Sequence, residues 1–193
     1  GGIPGGTRIP RVPLPAACAR LRNHMNVPPS LSESDIESIC AEGLEAMSLA
    51  GRRVLFVIPD LTRSCPMDQL FRVLYRQLAD RLDTLDFMIA LGTHPPLSNK
   101  QIYQRVGITA ARHQSEFPKA RFFNHAWDDP GQLTAIGKLS TDEVRRITDG
   151  LFEIAIEVTV NKAVREYDDL VILGPVFPHE VAGFSGGNKY LFP

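Results

Sequence analysis

The sequence predicts an α/β domain, a mostly parallel sheet wrapped by helices on both faces, and three observations predict it. Continuous apolar runs of strand length, Val54 to Ile58, Leu85 to Leu91 and Leu170 to Leu173, have the pattern of strands buried on both sides. Stretches with helix-capping signals lie between them. Each run is followed at once by polar residues mixed with glycine and proline, the position where open parallel sheets bind ligands. At 193 residues, 44% hydrophobic and 22% charged, the chain is long enough to bury a proper core.

In chain order, residues 1–30 hold six of the 15 prolines and read as an extended arm, leaving residues 31–193 for the α/β domain. Ser34 and Glu37 form a capping box, behind which Ile36, Ile39, Cys40, Leu44 and Met47 fall at helical spacing until Gly51. After the Val54–Ile58 strand, Pro66 suits a helix first turn, with Met67, Leu70, Phe71, Leu74 and Leu78 as its apolar face. Leu85–Leu91 follows as a strand. Ser98 with Gln101 caps a short helix that stops before Gly107. Arg121–Phe123 is a short strand, and Ser140 with Glu143 opens another helix. Ile154, Ile156, Val158 and Val160 alternate as in a half-covered strand, and Leu170–Leu173 closes the series. Buried strands alternating with capped helices make the whole Rossmann-like.

Composition removes several function classes. Twenty-one Lys and Arg against 22 Asp and Glu leave a net charge of −1, which argues against a nucleic-acid partner bound through a basic surface. The three cysteines, Cys18, Cys40 and Cys65, match neither a disulfide framework nor a zinc ribbon, so a reducing, cytoplasmic setting is expected. No apolar run approaches the roughly 20 residues that span a bilayer, and no signal peptide is visible, so no membrane partner is expected.

The segments after the strands carry the chemistry. They are Asp60-Leu61-Thr62-Arg63, Gly92-Thr93-His94-Pro95, Asn124-His125-Ala126-Trp127-Asp128, and His179 followed by Gly183-Phe184-Ser185-Gly186-Gly187-Asn188-Lys189. Three of the five histidines, an aspartate–arginine pair and a glycine-rich lysine loop thus converge on one sheet edge. Each has an ordinary alternative: a strand-end salt bridge for Asp60 and Arg63, a loop hydrogen bond for His94, a turn anchor for His125, a tight turn for the glycines. A glycine loop beside a lysine also holds phosphate, although the Walker A spacing is absent. Two functional readings of the residues alone stay open. One is a zinc hydrolase using His94, His125, Asp128 and His179. The other is a non-catalytic nucleotide-binding domain.

In that order, from about Arg53 to the end, the four motifs resemble the lactate racemase (LarA) family. Those enzymes are two-domain isomerases with a nickel-pincer nucleotide cofactor, and this chain resembles their amino-terminal domain. The resemblance implies that His94 and His179 are paired acid/base residues in racemising a 2-hydroxy acid. It makes Lys189 the covalent holder of the cofactor. Asp60, Leu61, Thr62 and Arg63 become the loop lining cofactor and substrate, with Arg63 on the substrate carboxylate. Ala182, Gly183, Phe184 and Ser185 become the segment cradling the nucleotide. In the family the nickel-ligating histidine lies downstream of the lysine. Here no histidine follows Lys189, so the sequence offers no metal ligand, and the second domain is expected to be missing.

The chemistry explains the residue types. The C2 hydrogen of a 2-hydroxy acid is too weakly acidic for an imidazole, so the resemblance implies proton-coupled hydride transfer: the hydroxyl proton leaves while the C2 hydrogen departs as hydride. No side chain accepts a hydride, hence the cofactor. A racemase handles both mirror images, which two histidines on opposite sides permit, because the imidazole as a residue type, unperturbed at about 6.5, can take and return a proton around neutral pH.

Overall fold

The structure is a computed structural model and describes residues 30–179 and 183–192. The arm lies almost wholly outside the described residues, as does Ala182. Residues Glu33–Pro193 form one compact unit, and the architecture below is that of this unit.

Its centre is a four-stranded, entirely parallel sheet in the order β3-β2-β1-β6, the strand arrangement of half a doubly wound nucleotide-binding fold. The strands are β1 (Arg53–Pro59), β2 (Thr84–Ala90), β3 (Ala120–Asn124) and β6 (Asp169–Ile172). Residues Val54 to Ile58 of β1 are fully buried, as their unbroken apolar run requires. In-register pairing stacks Phe56 on Phe87 and Phe87 on Phe122, with ring centroids 5.3 Å apart in both pairs. Against this aromatic row packs α2 (Met67–Leu78) through Phe71, Leu74 and Leu78, together with Leu44 of α1 (Glu33–Glu45) and Ile102 of α3 (Asn99–Arg105). A further short helix, α4 (Ala110–Glu116), is capped by Thr109. The opposite sheet face, with Leu55, Val57 and Met88, is covered by two single 3-10 turns, Lys162–Arg165 and Gly187–Tyr190, through Ala163, Tyr190 and Leu191. On that face Asp86 is buried in β2, where Arg121 and Tyr167 both hydrogen-bond it. Burial and that carboxylate push the Tyr167 hydroxyl up to about 12.

Several expectations shift in detail. Ser98 and Ser140 form the capping boxes that the sequence predicts, at α3 and at α5 (Thr141–Ile147). Ser34 does not: α1 starts at Glu33, so Ser34 sits inside the first turn, where Glu33 and Asp35 suit the helix dipole. Of that helix's anticipated apolar face only Leu44 is buried, while Ile39 is exposed. The alternating stretch before Asn161 is strand β5 (Ile156–Asn161), but it stands outside the main sheet. It pairs antiparallel with β4 (Leu133–Leu139), a strand the sequence reading lacks because Gly137 and exposed residues interrupt its pattern. Residue Ile154 lies before the strand, exposed. A last two-residue ladder, β7 (Phe177–Pro178) with β8 (Phe184–Ser185), leads back to the sheet's edge.

Candidate functional site

Beyond the carboxyl ends of β1, β2 and β6 lies a cavity of about 270 Å³. It sits beside the point where strand order reverses, since β1 leads outward to β2 on one side and β6 returns on the other.

The loop after β1 is built around Asp60, which is only 5% exposed. Its Oδ1 accepts from the Thr62 backbone N–H at 3.0 Å and from the Thr62 hydroxyl at 2.6 Å, a side-chain turn that folds the loop on itself. Its Oδ2 meets His94 Nδ1 at 2.7 Å. Burial pushes the Asp60 carboxyl up, but the hydrogen bonds from Thr62 and His94 outweigh it and hold the group below its ordinary range. An ionised carboxylate cannot donate, so His94 Nδ1 carries the proton and Nε2 is the nitrogen left for a ligand. The expected alternative, a salt bridge from Asp60 to Arg63, does not form. Arg63 lines the cavity with no ion pair among the described residues.

The loop after β2 is braced from the third segment. His94 N–H donates to Leu91 O at 2.9 Å, and the Trp127 indole N–H donates to His94 O at 3.2 Å. The Asn124 side chain grips Leu97 twice, accepting from its N–H and donating to its carbonyl. His125 is itself structural, as a turn anchor would be. It is buried, its Nδ1 accepts from Asn161 Nδ2 at 3.0 Å, and burial pushes its pKa down. Its Nε2 is buried without a hydrogen-bond partner among the described residues. The zinc arrangement of His94, His125, Asp128 and His179 is not assembled. Among the described residues no three His, Cys, Asp or Glu side chains gather closely enough to hold a metal ion.

The last wall comes from the segment after β6. His179 follows β7, its N–H donating to Gly183 O at 2.7 Å, and it lines the cavity with Ser185 and Lys189. Gly186 has φ +81°, and a Cβ there would lie 2.1 Å from the Pro175 carbonyl oxygen, so only glycine fits. Asp60, Thr62, Arg63, His94, His179, Ser185 and Lys189 are therefore brought together. Leu61, Gly183 and Phe184 are exposed near the rim and do not line the cavity.

Sequence reasoning missed Tyr190. Its ring lines the cavity and lies so close to Gly174 that a Cβ there would stand 2.6 Å from the phenol oxygen. That oxygen is buried with no hydrogen-bond partner among the described residues, and burial pushes its pKa up. Its only signal was adjacency to Lys189.

The model of the lactate racemase N-terminal domain matches residues 30–193. The chain belongs to this family. It is 21% identical over 182 residues to the lactate racemase of Lactiplantibacillus plantarum, an alignment that covers 93% of this chain and 38% of that protein. The chain thus spans well under half the length of this curated relative. A crystal structure of a protein from Thermotoga maritima superposes with a TM-score of 0.72 at 28% identity, over 83% of this chain and 37% of the other. Among the described residues no helix is long and apolar enough to cross a membrane.

Proposed function

We propose that this chain is the cofactor- and substrate-binding, amino-terminal part of a 2-hydroxy acid racemase or epimerase, and that a nickel-pincer nucleotide held through Lys189 works in its cavity. One observation carries the reading: two histidines, an arginine with no ion pair among the described residues and a lysine line the same cavity at the sheet's switch point.

The residues fit the organic part of such a cofactor. Lys189 offers an amine at the wall, and the Ser185 hydroxyl stands on the same wall as a polar partner for the nucleotide. Nickel would depend on the cofactor's own sulfurs and on residues outside this chain. When bound, the cofactor supplies the hydride acceptor and donor that no side chain provides. The planar fork of Arg63 receives the substrate carboxylate bidentately and fixes which face of C2 is presented. For one enantiomer His94 takes the hydroxyl proton at Nε2, while Asp60, bonded to Nδ1, orients the ring and stabilises its positive charge. His179 does the same for the mirror image, and each histidine returns the proton that the other direction requires. Thr62 and Ser185, which line the cavity, would flank the nucleotide. The remainder of the full-length protein, a carboxyl-terminal domain, closes the cavity and completes the substrate contacts.

The test uses full-length protein produced with the cofactor-synthesis enzymes. Intact mass is expected to show an adduct that Lys189→Ala removes. Chiral chromatography of D- and L-lactate, and of other 2-hydroxy acids, is expected to show interconversion that His94→Ala and His179→Ala each abolish in both directions. Racemisation retained by either variant would sink the two-base scheme. Ligand binding with no turnover in any variant would instead favour a non-catalytic nucleotide-binding domain.

A further inference from the structure

Arg105, the last residue of α3, takes no part in the steps above, yet it lies under the loop that performs them. Its Nε donates to the Pro59 carbonyl at 3.0 Å and its Nη1 reaches the Cys65 carbonyl at 3.4 Å. Those two carbonyls bracket the turn that carries Asp60, Thr62 and Arg63. Among the described residues the third nitrogen, Nη2, is buried without a partner, and no carboxylate pairs with the guanidinium. A half-buried cation with neither a counter-ion nor a full set of acceptors is a poor way to fill space, which an apolar side chain would do without desolvating a charge. The base it stands on is firm. Ser98 and Gln101 form a capping box at the start of α3, Ile102 is buried in the core, and Val106 just beyond is fully buried. The helix also begins where the His94 loop ends, so one side chain ties the loop after β1 to the element that terminates the loop after β2.

We propose that Arg105 is a positioning residue for the cavity. It fixes the span of residues 59–65, and through it both the contact of Asp60 with His94 and the stance of Arg63 toward an anionic ligand. The planar fork is what the task needs, because two nitrogens in one rigid plane address two carbonyls at a set separation. A lysine amine offers a single point. The kinetic part of this inference rests on the hydroxy-acid reading of the cavity; the geometric part does not.

Full-length Arg105→Met, which keeps the stem and removes the fork, tests both parts. In NMR spectra the His94 Nδ1–H proton, identified by its loss in His94→Gln, is expected to shift or broaden in Arg105→Met while circular dichroism stays that of the folded protein. With lactate as substrate, KM is expected to rise roughly ten-fold, the effect of a weakened charged hydrogen bond. Arg105→Met added to Arg63→Lys is expected to cost little more than Arg63→Lys alone, because both act on one contact. A variant that merely loses folded molecules lowers the apparent kcat and leaves KM and the proton signal untouched, and that result overturns the proposal. So does an unchanged signal, or an unchanged KM in an active enzyme. If wild-type protein racemises no 2-hydroxy acid, the functional reading fails and the proton signal alone decides the role of Arg105. Should Arg105→Met not fold, Arg105→Lys replaces it in the same comparisons, with a smaller shift expected and the same results overturning the proposal.

Discussion

Asp60 joins two loops of the site with two oxygens: one closes its own turn through Thr62, and the other fixes the ring of His94. Replacing it by Asn removes the charge but keeps the shape. Because the folded carboxyl titrates below its unfolded range, its contribution is fully present above about pH 4 and fades as the pH falls through the folded value. Urea unfolding of full-length protein is therefore expected to show Asp60→Asn about 1 kcal/mol less stable at pH 7, with the difference shrinking in acid. The modest size reflects His94, whose side chain is 51% exposed. Tyr190→Phe is expected to behave in the opposite sense. The phenol oxygen is buried and has no partner among the described residues, so its removal relieves a desolvation cost, and the melting temperature of ligand-free protein is expected to hold or rise.

The lysine-bearing turn, Gly187–Tyr190, owes its place to Gly186 just before it. Gly186→Ala puts a methyl against Pro175 in a backbone region that only glycine occupies comfortably, and is expected to cost about 3 kcal/mol in a denaturation curve. The elements readable from sequence were those whose signal is local. A capping serine with its partner three residues on marked α3 and α5, and an unbroken apolar run marked β1 and β2. What escaped reading depends on distant partners. Strand β4 exists because β5 pairs with it, and the start of α1 is shifted although two serines stand in its first stretch. At the site, His94, His179, Arg63 and Lys189 could be singled out because each follows a strand. Arg105 and Tyr190 could not, since their significance lies in carbonyls and a glycine remote in the chain.

Within the whole molecule the cavity is a partial one. At about 270 Å³ it falls a little short of the roughly 300–1,000 Å³ usual for small-molecule sites, and Val176, Phe177 and Phe184 stand exposed on the segment that forms its last wall. On the functional reading above, residues 1–193 expressed alone are expected to show no lactate racemisation by chiral chromatography, whereas the full-length protein supplies the missing contacts. The sheet's pairing order carries a separate consequence. Strand β1 acquires β2 soon after it emerges from the ribosome, but its other flank waits for β6, since Leu55 pairs with Leu170. For more than a hundred residues of translation the most apolar strand of the nascent polypeptide holds one row of amides and carbonyls open, an edge that is closed only when β6 has been made.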